Sequence, residues 1–337
     1  MKSKSIALSI ALIVASITPA AHAYDTNITT KEAQKIAHEA YIYGYGIVEN
    51  YKAIFGMSVY PESPVYSGFN NYKHMRNLYG PEMKTVVSAN NDTIYSTTFA
   101  DLRKEPLVIT VPPTGDRYFS IQLVDMLTDN FAYIGTRSTG NEGGTYVIVG
   151  PDFKGSVDTE KFDRVIVSQA PFVALATRTA VYSTDDLKEA YKVQDGLKLT
   201  GYEAFSGMKS TARITEDKMP MFNPKMVYKA ESFYPLLNQL LTWQSPSTDQ
   251  VAMMKKFARI DVGPYSDFDL ASMPADIAAA IKAGSAQAKE VIISRANQIG
   301  ETVQGWDYTP PMGMYGEDYL FRAAVAYKFI YTHNPEE

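Results

Sequence analysis

Between residues 85 and 155 the sequence falls into short β-prone runs separated by turn residues. That spacing limits this region to a sandwich or a barrel. The runs are S-A-N-N-D-T-I-Y-S-T-T-F-A-D-L (88–102), P-L-V-I-T-V-P-P (106–113), R-Y-F-S-I-Q-L-V-D (117–125), F-A-Y-I-G-T-R-S-T-G (131–140) and T-Y-V-I-V-G-P-D-F-K-G (145–155). Further runs at 164–168 and 172–182 bring the total to about eight strands, enough for two packed sheets or a closed barrel. Val111-Pro112-Pro113 should end a strand, because proline has no amide hydrogen for the ladder. Asp116, Asn141, Gly143, Gly144 and Gly150-Pro151 supply turn chemistry.

Helical periodicity flanks this region on both sides. Thr29-x-x-Glu32 forms a capping box, and apolar positions from Ala33 to Phe55 keep helical spacing without a break. His38, beside that stripe, reads as a packed or surface residue rather than a catalyst. Residues 56–81 are rich in proline and glycine, carry F-N-N-Y-K-H-M-R at 69–76, and are expected to be ordered. Thr184 caps a helix over 187–197. Further helices are expected over 228–243, 248–259, 274–300 and 317–331, the last burying its face on 228–243 and 274–300. The chain therefore reads as α+β: a β-sandwich-like module with an N-terminal helix and a C-terminal helical segment. The expected division is a signal peptide (1–23), an N-terminal helix plus β-rich domain (24–200), a linker (201–227) and a helical segment (228–337).

The N-terminus has the three parts of a secretory signal. Lys2 and Lys4 are basic, residues 6–17 are apolar but too few to span a bilayer, and Ala21-His22-Ala23 is a small-residue cleavage site. The expected mature protein starts at Tyr24, is periplasmic or secreted, and has no membrane span after cleavage. The chain has no cysteine, which excludes disulfides, thiolate metal ligands and a cysteine nucleophile. The formal net charge is −5, without basic clusters, which argues against nucleic acid as a partner. Tyrosine is abundant, at 24 residues. An apolar body with a polar tip suits grooves and half-wet surfaces, and strands also favour it.

The order of motifs carries a resemblance. N-N-D-T-x-Y-S at 90–96 is followed by D-L at 101–102, V-P-P at 111–113 and Y-x-S-x-x-L-x-D at 118–125. G-T-R-S-T-G and then Y-x-x-x-G-P complete the order at 135–151. In this order they resemble the bacterial secreted protein family with the domain of unknown function 1254, usually followed by the domain of unknown function 1214. The resemblance runs from about Lys31 to the C-terminus and implies fold and export, not a chemistry. In that family, G-x-D-Y-L-x-R-A (here 316–323) precedes a second β-rich domain, whereas this sequence ends at Glu337. The resemblance thus implies a first domain with its connecting helices, and leaves open a partner domain on another chain or a homo-oligomer.

No common catalytic motif is present, and no cofactor is expected. His38, His74 and His333 lie far apart in sequence, so no metal site is expected. The polar residues inside the β region are the candidates. Asn90, Asn91 and Asp92 separate two apolar runs; they either cap a turn or project into a groove beside Tyr95. Asp92 is expected to be buried or half-buried. Asp125 follows an alternating strand. Arg137 and Arg178 lie in or beside apolar strands, so Asp92–Arg137 or Asp125–Arg178 would be structural pairs. The same guanidinium groups could instead hold a ligand's carboxylate or phosphate. Three functions stay open. The first is a module that binds a small polar or amphipathic ligand in a Tyr/Asn-lined groove built from Asn90, Asn91, Asp92, Tyr95, Arg137 and Arg178. The second is an enzyme of hydrolase or lyase type, with Asp92 or Asp125 as general base and Arg137 or His74 holding an anion. The third is an interaction module that pairs with a separate second domain.

Overall fold

The computed structural model describes residues 24–80, 91–207, 218–244, 247–308 and 312–330. The signal-peptide reading of residues 1–23 lies outside the described residues, and so does Asn90.

In chain order the elements are α1 (Thr30–Ile54), β1 (Lys73–His74), β2 (Thr93–Asp101), β3 (Leu107–Val111), β4 (Phe119–Val124), β5 (Asn130–Gly135), β6 (Gly144–Val149), β7 (Arg164–Val167) and β8 (Phe172–Ala180). Then follow α2 (Leu187–Gly196), β9 (Lys198–Gly201), α3 (Tyr202–Ser206), α4 (Ala230–Leu241), α5 (Val251–Phe257), α6 (Ala275–Ala296), β10 (Glu301–Val303), β11 (Trp306–Tyr308) and α7 (Tyr319–Val325). The helices expected in the last third are all present. The sequence pattern missed β1 and the β10–β11 hairpin, whose strands are only two or three residues long. β9 was missed as well; it opens the stretch that lacked a clear pattern.

Two sheets pack face to face. One has the order β1-β2-β8-β4-β5, all antiparallel; the other has the order β7-β6-β3-β9, with β6 and β7 parallel. Alternation fixes the inner faces. In β4, Phe119, Ile121 and Leu123 are buried while Ser120 and Gln122 are not, as a strand with one covered face requires. Those residues join Leu107, Ile109 and Val111 of β3 and Val173 and Leu175 of β8 in one apolar core between the sheets. This is the expected sandwich within an α+β chain.

The outer face of the five-stranded sheet is divided. Phe99 of β2 and Phe172 of β8 belong to the apolar core of the helical layer, so helices cover that end. At the other end, cross-strand register places Tyr95, Arg178, Ser120 and Gly135 in one row across β2, β8, β4 and β5. Among the described residues no helix core reaches that row, and Arg178 is exposed.

α1 is the centre of the helical layer. Its capping box forms as the sequence predicts: the Glu32 amide donates to Thr29 Oγ1 (3.2 Å), and the Thr29 amide donates back to the Glu32 carboxylate (3.0 Å). From Tyr41 to Tyr51 almost the whole circumference is buried, as for a helix enclosed on all sides. Its tyrosines are core residues rather than surface ones. The Tyr41 hydroxyl donates to the Tyr228 carbonyl (3.1 Å) and the Tyr51 hydroxyl to the Pro220 carbonyl (2.6 Å). α7 packs against α6 and α1, with Phe321 and Ala324 in a core shared with Ala296 and Ile299. Among the described residues no helix is long and apolar enough to cross a membrane.

Candidate functional site

The open end of the five-stranded sheet gathers most of the residues that the sequence singled out. Strand pairing sets Tyr95 opposite Arg178, and the guanidinium lies 5.7 Å from the centre of the Tyr95 ring. Tyr79 stacks on Tyr95, with ring centres 5.6 Å apart. Arg137, in the turn that follows β5, lies 6.0 Å from the Tyr118 ring. Asp92, Tyr118, Arg178 and Tyr182 line an open depression of about 390 Å³ between them. Tyr182 is fixed there although it is 63% exposed: its hydroxyl accepts from the Tyr118 amide and donates to the Asp116 carbonyl (both 3.1 Å).

Two expectations need correction. Asp92 is exposed, not buried, because β2 begins one residue after it and its own carbonyl closes the ladder by accepting from the Val181 amide (2.8 Å). Neither structural ion pair forms among the described residues. Arg137 and Arg178 are both exposed and lie over tyrosine rings. Asp125 cannot reach Arg178: β8 sets Arg178 opposite Ser120 but Ala174 opposite Val124. Four residues along a strand is about 13 Å. For the same reason Asp125 and Arg137 stand at opposite ends of the β4–β5 hairpin.

His74 meets a serine. Its Nδ1 lies 2.8 Å from Ser96 Oγ, which also accepts from Gln194 Nε2 (3.0 Å). A serine–histidine contact can be a nucleophile and its base. Here Ser96 is 0% exposed, so no substrate carbonyl has access to its hydroxyl. The contact instead fastens β1 to the sheet edge, and the Gln194 amide adds a bond to the Tyr95 carbonyl (2.9 Å). Burial and the nearby Arg76 charge hold the His74 pKa below its ordinary value.

Asp125 belongs to a different cluster, at the β4–β5 turn beneath the helical layer. The Asp129 amide donates to Asp125 Oδ1 (2.9 Å), and the Asn50 side chain of α1 donates to the Asp125 carbonyl (2.8 Å). Asp129 in turn holds the buried Arg322 of α7 (2.7 Å) and accepts from the Tyr315 amide (3.1 Å). Thr128, between the two acids, adopts φ 70°, a costly conformation for a β-branched residue, and its buried hydroxyl has no hydrogen-bond partner among the described residues. Burial first, and then the Asp129 charge, push the Asp125 carboxyl up to about 6; the Asp129 amide and the Arg322 charge oppose the shift. Asp129 and Arg322 were not among the sequence candidates. Arg322 did stand in a recognised motif, but nothing local pairs it with a turn 193 residues away.

A raised carboxyl has a calculable effect on stability. The folded Asp125 pKa lies above its ordinary value of 3.8, so ionisation is harder in the native state. The contribution of Asp125 to stability is therefore greatest below pH 4 and is lost as the pH rises through about 6. Asp125→Asn keeps an acceptor for the Asp129 amide and cannot ionise. Its stability relative to the parent should rise by about 2–3 kcal/mol between pH 4 and pH 8, the value of two pKa units. Urea melts at the two pH values test this, and a pH-independent difference would refute it.

Among the described residues, no three or more His, Cys, Asp or Glu side chains gather as a metal site. Residues 69–201 match the family described as "Protein of unknown function (DUF1254)". The resemblance drawn from the motif order is therefore shown over that segment, which spans β1 to β9. Among solved structures, the chain is similar to the VPA0106 protein from Vibrio parahaemolyticus, with a TM-score of 0.66 and 22% identity. The likeness covers 88% of this chain and 66% of that one, and it concerns the fold. No curated protein matches the chain.

Proposed function

We propose that this chain is an exported binding module that takes a small amphipathic anion into the tyrosine–arginine groove of the five-stranded sheet. One observation carries the reading. Arg137 and Arg178 are exposed, each lies over a tyrosine ring, and neither makes an ion pair among the described residues. Guanidinium groups without a carboxylate are suited to a ligand's carboxylate or phosphate, which they grip in a bidentate manner. The faces of Tyr79, Tyr95, Tyr118 and Tyr182 supply flat apolar area for the rest of the ligand. Export rests on the basic, apolar and small-residue order of residues 1–23.

A panel of aromatic and aliphatic carboxylates, benzoate to octanoate, tests this by thermal shift and calorimetry on the mature protein. Arg178→Ala should weaken the best binder by about tenfold or more, the value of a charge-assisted hydrogen bond. Its unliganded melting temperature should stay near that of the parent, because the side chain is exposed. No binder in the panel, or equal affinity in the variant, would defeat the proposal. The enzyme reading keeps one supporting observation, the Asp125 carboxyl near 6, in the range useful to a general base.

A further inference from the structure

We infer a second anion site, on the helical layer, that takes a phosphorylated small molecule. Four lysines surround one open cavity of about 450 Å³: Lys225 and Lys229 ahead of α4, and Lys282 and Lys289 on α6. Among the described residues Glu231 is the only acid in its wall. The protein as a whole carries a formal charge of −5, so this concentration of positive charge stands against the general balance. Lys229 and Lys282 are exposed and make no ion pair among the described residues. A solvated lysine face is convex and mixed with acids. Here four lysines line one hollow against a single acid, and a concave wall of mostly positive charge favours an anion.

The floor of the cavity is a built structure. Tyr228 lines it and is held from two sides. Its hydroxyl donates to the Glu49 carboxylate of α1, which is 1% exposed and also bonded by Lys52 (3.1 Å). Burial pushes the Glu49 carboxyl above the ordinary range, and the Lys52 charge and the Tyr228 hydroxyl oppose the rise. The ammonium groups of Lys52 and Lys289 lie 4.5 and 5.1 Å from the centre of the Tyr228 ring. Tyr45 also stacks on the Tyr228 ring, 5.9 Å between centres, so this part of the wall is held in place and little ordering is left for binding to impose.

The charged groups select the ligand class. Every cation in the wall is a lysine. An ammonium is a compact point charge that can meet the several oxygens of a phosphoryl group from different directions, whereas arginine's flat fork demands a bidentate partner in its own plane. The volume is that of a small-molecule pocket. This separates the two sites by chemistry: arginine and tyrosine on the sheet, lysine on the helices.

Inorganic pyrophosphate is the probe, measured by calorimetry on the mature protein at constant ionic strength. Saturable one-to-one binding is expected in the parent, with affinity at least tenfold weaker in the Lys229→Gln/Lys282→Gln double variant. Arg178→Ala should bind pyrophosphate as the parent does. Both lysines are exposed, so the double variant should melt with the parent; a matched melt ensures that lost affinity reports on the site and not on folding. The inference is overturned if the parent shows no saturable binding up to about 1 mM, the weak end of specific recognition. It is equally overturned if the double variant binds as tightly as the parent, or if Arg178→Ala loses the binding.

Discussion

Replacing Arg322 by alanine should destabilise the protein by roughly 3–5 kcal/mol, the loss found when one member of a buried ion pair is removed. Arg322 is 2% exposed and holds together three parts of the chain. Its Nη2 donates to Asp129 in the β4–β5 turn (2.7 Å) and to the Gly316 carbonyl (3.1 Å). Its guanidinium carbon lies 5.6 Å from the Tyr315 ring centre and 5.5 Å from that of Tyr319. The remaining nitrogens, Nε and Nη1, have no hydrogen-bond partner among the described residues, so the aromatic faces are their compensation. Removing the side chain strips Asp129 of its cation and leaves a void beside Gly46 of α1, where a Cβ would lie 3.4 Å from Arg322 Cγ. It also removes the charge that holds the Asp125 carboxyl down, so that group should titrate still higher. A double-mutant cycle with Asp129→Asn separates pairing from packing. If the pair matters, the double variant loses at least 1 kcal/mol less than the sum of the single losses. Strict additivity in urea melts would show that only the packing of the arginine stem counts.

The contrast between Arg322 and Arg178 shows what a sequence of this kind exposes and what it hides. Strand alternation is local. Phe119-Ser120-Ile121-Gln122-Leu123 states its own inner face, and so the sandwich was legible from the pattern. The capping box at Thr29 and Glu32 is equally local and forms as written. Tyr95, Arg137 and Arg178 were legible as candidates because polar groups interrupt apolar strands. Their partners were not, since register decides them: β8 sets Arg178 between Tyr95 and Ser120, far from Asp125, the aspartate proposed for it. Glu49 and Tyr228 meet across 179 residues, and Lys282 and Lys289 reach the same cavity only through the packing of α6. Periodicity misled on one point. It gave α1 a single apolar stripe, whereas Tyr43, Tyr45 and Gly46 off that stripe are buried too, because helices close over α1 from several sides. The short strands β1, β10 and β11 had too few residues to show any period.

Gly284→Ala should destabilise the protein by about 3 kcal/mol, the upper range for overpacking, although alanine is the better helix former by about 1 kcal/mol. The two effects have opposite signs, so the outcome decides which one governs this position. Gly284 lies within α6, where it meets α1 at close range. A Cβ at this residue would collide with the Gln34 carbonyl oxygen and lie 3.0 Å from the carbonyl carbon and 3.1 Å from the His38 amide nitrogen. All three are backbone atoms, so no side chain can swing aside. The neighbouring turns are pinned as well. Tyr234 of α4 donates its hydroxyl to the Ala37 carbonyl (2.8 Å) and lies 2.8 Å from Ser285 Oγ, and Gln34 Nε2 donates to Gln287 Oε1 (3.0 Å). To admit a methyl group, α6 must move away from α1 and break these bonds, and the burial of Ile281 and Ala288 loosens with them. Gly44 of α1 makes a milder case, because the atoms nearest to a Cβ there belong to the Leu237 side chain, which can shift more readily than backbone. Gly284→Ala should therefore lose several times as much stability as Gly44→Ala, measured by thermal and urea melts of both. A Gly284→Ala protein as stable as the parent, or more stable as helix propensity alone requires, would mean that α1 and α6 do not pack at this distance.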